Sequence, residues 1–100
     1  MDNPARVAEF RARLKDRRDQ LQAEVAGILP PGSRFVLEIG SGHGHFLTAF
    51  TQANPDRQCV GIDLQLERVA RANRKRDRAK LPNLHFLRGD VAMLLEVLPP

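Results

Sequence analysis

Hydrophobic residues recur along this chain with two different periods, and the change comes near residue 34. Before that point, apolar residues follow the three- and four-residue spacing of one helical face, which predicts an amphipathic helix over residues 5–29. The positions on that face are Val7, Phe10, Leu14, Leu21, Val25 and Ile28. Asn3 and Pro4 supply a cap and a first-turn proline, and the run Pro30-Pro31-Gly32 predicts the end of the helix.

After residue 34, short apolar segments alternate with helical segments three times. Strands are predicted at residues 35–39, 58–62 and 84–87, and helices at 46–53, 65–80 and 91–98. Strands that alternate with helices in this way favour a parallel sheet with right-handed crossovers. We therefore expect an α/β fold, the N-terminal half of a Rossmann-like sheet. It has three parallel strands in the order 3-2-1 with flanking helices, preceded by the N-terminal helix.

These patterns divide the chain into a basic N-terminal helix with its linker, residues 1–31, and a ligand-binding half-domain, residues 32–100. In the order 3-2-1 the first strand is the most apolar of the three and lies at an exposed edge, which proteins normally cover. We expect the half-domain to be part of a larger domain. The alternatives are that the N-terminal helix covers this edge, or that a second copy of the chain does so by self-association.

Composition restricts the class of protein further. One hundred residues with 42% hydrophobic content allow one small domain, and neither a membrane span nor a secretion signal is apparent. The single cysteine, Cys59, falls in a strand pattern, so we expect a buried, reduced thiol and a cytoplasmic protein. A net charge of +4 weakly favours a polyanionic partner.

The first predicted strand runs directly into a turn with three alternate glycines, Gly40, Gly42 and Gly44. The second strand leads to Asp63, so the segment has the outline of a nucleoside-binding βαβ unit. Two details argue against a dinucleotide: His45 replaces the last glycine of that pattern, and Glu38 would repel a pyrophosphate. S-adenosylmethionine (SAM) carries a sulfonium and an ammonium group and no phosphate, so it suits this turn better.

Two further carboxylates follow predicted strands. Asp63 could accept hydrogen bonds from both ribose hydroxyls or cap the helix that follows it. Asp90 could accept from the exocyclic amine of adenine or cap the last helix. Because the carboxyl ends of parallel strands meet at one edge, we expect Glu38, Asp63 and Asp90 to face one crevice.

No metal site is predicted. His43 and His45 flank Gly44 as exposed loop positions, but the other candidate ligands, His85 and Cys59, lie inside predicted strands.

The second helix of the half-domain carries a basic stripe. Its members are spaced three, four and three residues apart and share one face: Arg68, Arg71, Lys75 and Arg78. The stripe predicts a surface that contacts nucleic-acid phosphates, and the alternative is an ordinary solvated helix face.

Taken in order, these motifs resemble the class I SAM-dependent methyltransferases. Most closely they resemble the bacterial tRNA (guanine-N7)-methyltransferases, which modify a guanine in the variable loop. The resemblance covers residues 34–98 and rests on residues 37–44, Phe46-Leu47, Asn54-Pro55, 61–63, 81–84 and 89–91. It implies that SAM is the cofactor and tRNA the partner. The implied SAM-binding residues are Glu38, Gly40, Ser41, Gly42, Gly44, Asp63, Leu64, Asp90 and Val91.

The chain departs from that family in two respects. The family usually has glutamate where Asp63 stands, and its phenylalanine-proline-aspartate-proline-tryptophan stretch, which helps to form the catalytic site, does not occur in these 100 residues. We therefore expect this chain to be inactive alone, and we assign no catalytic residue. Two other interpretations remain open. One is a class I methyltransferase acting on a small molecule or a protein, and the other is a non-catalytic nucleotide- or nucleic-acid-binding module.

Overall fold

The computed structural model describes residues 3–98. Helix α1 precedes three strands that alternate with three helices, and every boundary lies within one residue of its predicted position. The elements are α1 Pro4–Ile28, β1 Val36–Ile39, α2 His45–Ala53, β2 Cys59–Asp63, α3 Leu66–Ala79, β3 Leu84–Arg88 and α4 Val91–Val97. Among these helices, none combines the length and the apolar run needed to cross a membrane.

The three strands form one parallel sheet in the order β1-β2-β3, which confirms the predicted topology. Glu38 of β1 lies beside Gly61 of β2, and Gly61 lies beside Phe86 of β3. The central strand β2 is buried along its whole length, as its apolar sequence requires. Since all three strands run in the same direction, their carboxyl ends lie at one edge of the sheet.

Each face of the sheet has its own core. On one face, α1 and α4 enclose a buried cluster of Leu21, Val25, Leu29, Val60, Ile62, Leu87 and Leu94. On the other face, α2 and α3 cover Leu47, Cys59, Val69, Ala72, Leu84 and Phe86. Successive strand side chains point to opposite faces, so Cys59 and Val60 belong to different clusters. Cys59 is a buried free thiol, as predicted.

The amphipathic helix predicted over residues 5–29 is present, but its apolar face is buried only in the second half. Leu21 and Val25 are buried, whereas Phe10 is 56% exposed and Leu14 is partly exposed. The reason is geometric, because a 25-residue helix is roughly 37 Å long while a five-residue strand spans roughly 17 Å. The first turns of α1 therefore extend beyond the sheet.

The two edges of the sheet differ. Side chains of α3 satisfy the outer edge of β3: Asn73 donates to the Phe86 carbonyl at 3.1 Å and accepts from the Phe86 amide at 3.3 Å. Arg76 donates to the Leu84 carbonyl. At the other edge, β1 has no neighbouring strand among residues 3–98, and Ile39 is 63% exposed.

The N-terminal helix packs against α4 and β3, on the far side from the β1 edge. The alternative that it covers that edge is therefore wrong. Self-association through the β1 edge stays a prediction.

Candidate functional site

The glycine turn after β1 is fixed by its backbone. The amides of Gly40 and Ser41 both donate to the Ile62 carbonyl, at 2.8 and 3.1 Å, and the Gly44 amide donates to the Ser41 carbonyl at 3.0 Å. These bonds attach the turn to the carboxyl end of β2 before α2 begins at His45. The turn is consequently a defined surface at the sheet edge.

The glycines serve two purposes. Gly40, Gly42 and Gly44 have φ angles of +69°, +58° and +77°, a region that side chains disfavour. A Cβ atom at Gly40 or Gly42 would meet nothing within 4 Å, so their backbone is open to a ligand. At Gly44 a Cβ atom would lie 2.5 Å from Phe86 Cζ and 3.0 Å from Ala72 Cβ. Glycine there allows α2 to begin in contact with β3 and α3.

Asp63 connects the glycine turn to the start of α3. Its Oδ2 accepts from the Gly42 amide at 3.0 Å, and its Oδ1 accepts from the Gln65 amide at 2.9 Å. The hydrogen bond from Gln65, then the one from Gly42 and the positive charge of the nearby Arg68 guanidinium, hold the pKa of this buried carboxyl below its usual value. The sequence indicated the bond to the following helix but gave no signal for the bond to Gly42. Each carboxylate oxygen retains acceptor capacity for a ligand hydroxyl.

Three buried oxygen atoms around the turn have no hydrogen-bond partner among the described residues. They are Glu38 Oε1, Ser41 Oγ and Thr48 Oγ1, which lie before, within and one helical turn after the glycine segment. Such an atom typically costs about 1–3 kcal/mol, and burial raises the pKa of the Glu38 carboxyl. A ligand with hydrogen-bond donors or a cationic group would satisfy them. Sequence reasoning missed Thr48, whose only signal was its place in the first turn of α2.

A groove of about 490 Å³ lies along the outer edge of β3. Leu64, Gly89 and Asp90 line it together, whereas Val91 does not. Glu38 and Asp63 are not among its lining residues either, and the cofactor roles assigned to all these residues stay a prediction. Asp90 Oδ1 accepts from the Met93 amide at 3.1 Å, so Asp90 does cap α4. Residues of α1, including Arg17 and Gln20, also line the groove, which the sequence did not indicate.

The charge distribution favours a cationic ligand head at the turn. Glu38 and Asp63 place two carboxylates at neighbouring strand ends, where a pyrophosphate would be repelled. No side chain caps α2, so its first amides offer partial positive charge to a carboxylate on the ligand. Within residues 3–98, no three His, Cys, Asp or Glu side chains come together as metal ligands.

The basic residues of α3, which include the predicted stripe, separate into two groups. Arg68 lies 4.0 Å from Asp63, and Arg76 is bonded to the Leu84 carbonyl and to Asp77. The other basic residues of the helix face a separate concavity beside the glycine turn, lined by His43, His45, Arg71, Arg74, Lys75 and Arg78. The structure thus brings Arg71, Lys75 and Arg78 together with both loop histidines.

Residues 33–100 match the family model described as "Putative methyltransferase". The chain belongs to this methyltransferase family. It is also similar to named enzymes: it is 34% identical over 93 residues to a tRNA (guanine-N(7)-)-methyltransferase of Synechococcus sp. (strain JA-3-3Ab), covering 83% of this chain and 39% of that protein. A protein of the same name in Lacticaseibacillus casei (strain BL23) is 40% identical over 60 residues, covering 60% and 28% of the two chains.

Solved structures give the same picture of the fold. A SAM-dependent methyltransferase from Thiobacillus denitrificans, solved with S-adenosyl-L-homocysteine, has a TM-score of 0.50 and 29% identity, covering 77% of this chain and 30% of that one. The antibiotic-resistance methyltransferase Kmr has a TM-score of 0.54 and 29% identity, covering 71% and 38%. These matches confirm the Rossmann-like methyltransferase fold. The chain spans about two fifths or less of the curated relatives' length.

Proposed function

We propose that residues 32–100 form the SAM-binding half of a tRNA (guanine-N7)-methyltransferase, and that residues 1–31 form a basic N-terminal helix with its linker. The observation that carries the proposal is the set of unpartnered oxygens on Glu38, Ser41 and Thr48 around an open glycine turn. The family match and the named relatives support both the cofactor and the acceptor. A tRNA acceptor also implies that the protein works in the cytoplasm.

The residues of this chain can hold each part of the cofactor. Glu38 and the backbone of Gly40 and Gly42 suit the methionine part, whose ammonium would compensate the buried carboxylate. Asp63 suits the ribose hydroxyls, and the groove between Leu64 and Asp90 has room for the adenine ring. We include Gly44 and Val91 as residues that shape this site through packing and backbone.

SAM supplies a methyl group already activated by a sulfonium centre, which an unprotonated ring nitrogen such as guanine N7 can accept without a strong general base. The protein then has to hold cofactor and acceptor at close approach and exclude competing geometries. In this chain the glycine turn, whose backbone is fixed, and Asp63 would position the cofactor. Asp63 accepts hydrogen bonds both from the turn and from the residue that precedes α3.

The cofactor assignment is tested by calorimetric titration of this chain with SAM, with NAD and ATP as comparisons. We expect saturable binding of SAM alone. Glu38→Gln should weaken it at least roughly tenfold, because the variant keeps the shape of the side chain and removes the negative charge. Asp63→Ala should weaken it further. Asp56→Ala, which removes an exposed turn carboxylate, should bind SAM like the parent chain.

Tight binding of NAD, or equal SAM binding by the Glu38→Gln and parent chains, would contradict the cofactor assignment. Circular dichroism of each variant establishes that the chain is folded in every comparison.

The acceptor is tested by methyl transfer from radiolabelled SAM, with the whole protein and tRNA transcripts. We expect transfer to a transcript that contains guanosine in the variable loop and none to a transcript made with 7-deazaguanosine, which lacks N7. Transfer to the deaza transcript would exclude N7 as the acceptor. This chain alone should bind SAM and transfer its methyl group slowly or not at all.

A further inference from the structure

Beside the cofactor site, the glycine turn and α3 enclose a second concavity with a strongly positive lining. We call it the basic notch, and its residues are His43, His45, Arg71, Arg74, Lys75 and Arg78. Its volume is about 290 Å³, and no acidic residue lines it. Four permanent cations with no facing carboxylate create a local positive potential much larger than the net charge of +4 suggests.

The cations of the notch are available to a ligand. Arg71, Arg74 and Arg78 form no ion pair or hydrogen bond with any residue in the described part of the chain. Lys75 Nζ contacts His45 Nδ1 and lies 3.4 Å from its Nε2. A lysine ammonium can only donate, so the imidazole accepts and leaves the positive charge of Lys75 uncompensated.

The shape of the notch favours an extended anion. Arg71, Lys75 and Arg78 follow one another along a helix face, and seven residues of helix extend roughly 10 Å. A row of that length can contact consecutive phosphates of one strand, and guanidinium groups bind phosphate oxygens in a bidentate manner. No phenylalanine lines the notch, so its four cations, which bind phosphate oxygens, dominate the contacts that it offers.

We infer that the basic notch binds the phosphodiester backbone of an RNA. His43 and His45, which flank Gly44, place this contact next to the glycine turn. The inference rests on the proposed function for the identity of the nucleic acid. It assigns the contact to Arg71, Arg74, Lys75 and Arg78, and it excludes Arg68 and Arg76, which are engaged by Asp63, Asp77 and the β3 backbone. RNA bound there would lie directly against the turn that forms the cofactor site.

The test is a titration of this chain with unmodified tRNA, followed by fluorescence anisotropy at several salt concentrations. Arg71→Ala/Arg78→Ala removes two positive charges from the notch. We expect binding about tenfold weaker at low salt and a salt slope smaller by about 1.4 to 1.8, the share of two phosphate contacts. The matched control is Arg11→Ala/Arg13→Ala, which removes two exposed charges from α1 and should change affinity less than about twofold.

Equal losses in the two double variants would show that only net charge matters and would overturn the inference. So would an unchanged salt slope in the notch variant, or tRNA binding displaced equally well by polyglutamate, which would indicate an acidic protein partner. SAM titration of the same variants separates this inference from the proposed function. The notch variant should bind SAM normally, whereas failure of the parent chain to bind SAM bears on the cofactor site alone.

Discussion

Helices α1 and α3 each carry six lysine or arginine residues, yet the fold uses them differently. In α1 these six share the helix with four acidic residues, and the visible pairs are Lys15–Asp19 and Arg18–Glu96. In α3 only two acidic residues are present, and four of the cations converge on one concavity with two histidines. The number of basic residues is equal, so the two helices differ in the groups that surround these residues.

The two helices also differ in how firmly the sheet holds them. Helix α3 contacts the sheet or bonds to it along most of its length, through Val69, Ala72, Asn73 and Arg76. Only the second half of α1 is anchored, through Leu21 and Val25. A binding surface needs a fixed backbone to position its charged side chains, and the contacts with the sheet fix the backbone of α3.

Leu21→Ala is expected to have the largest effect on stability, because it creates a cavity in the core where α1 packs against the sheet. The free energy of unfolding should fall by about 3 kcal/mol, measured by urea denaturation. Phe10→Ala in the overhanging half of the same helix should change it by less than about 0.5 kcal/mol. Similar losses for the two variants would mean that α1 is held along its whole length.

Gly44→Ala tests how closely α2 approaches α3. The added methyl group meets Phe86 and Ala72 and also imposes a left-handed backbone on alanine, so we expect a loss of about 2–3 kcal/mol. Gly32→Ala is the matched control, since Gly32 has φ +81° but open space around its Cβ position. That variant should lose only about 1 kcal/mol, and equal losses would argue against the contact.

Asp63→Asn tests the link between the turn and α3. Loss of two charge-assisted acceptors should cost about 1–2 kcal/mol at pH 7. Because the folded-state pKa of Asp63 is lowered, its contribution is present above the unfolded pKa and disappears as the pH falls through the folded value. The stability advantage of the parent chain over the variant should therefore shrink as the pH falls below about 4. If the difference in free energy of unfolding between the parent chain and Asp63→Asn does not change with pH in this range, Asp63 is not the group responsible.

The smallest effect is expected for the α1–α4 ion pair. Arg18 Nε lies 2.9 Å from Glu96 Oε2, but both side chains are about half exposed. A double-mutant cycle with Arg18→Ala and Glu96→Ala should give a coupling energy of about 0.2–0.5 kcal/mol that disappears in high salt. A coupling above about 1 kcal/mol would mean that this pair, and not apolar packing alone, holds α1 in place.

Much of the site could be predicted because it follows the chain. The glycine turn, Glu38, Asp63 and Asp90 each stand at a strand end, and a parallel sheet gathers strand ends at one edge. The hydrogen bond between Asp63 and Gly42 joins residues 21 apart and has no sequence signature. The unpartnered state of Thr48 Oγ1 likewise depends on what surrounds it in three dimensions.

The sequence by itself determined the order and type of the elements, because apolar periodicity and the glycine, proline and asparagine signals act over a few residues. It also determined that the chain resembles a methyltransferase. Only the tertiary structure decided which cations on α3 are free, which edge of the sheet is closed, and how much of α1 is buried. Those properties depend on contacts between distant elements and on their relative lengths, which a local pattern does not encode.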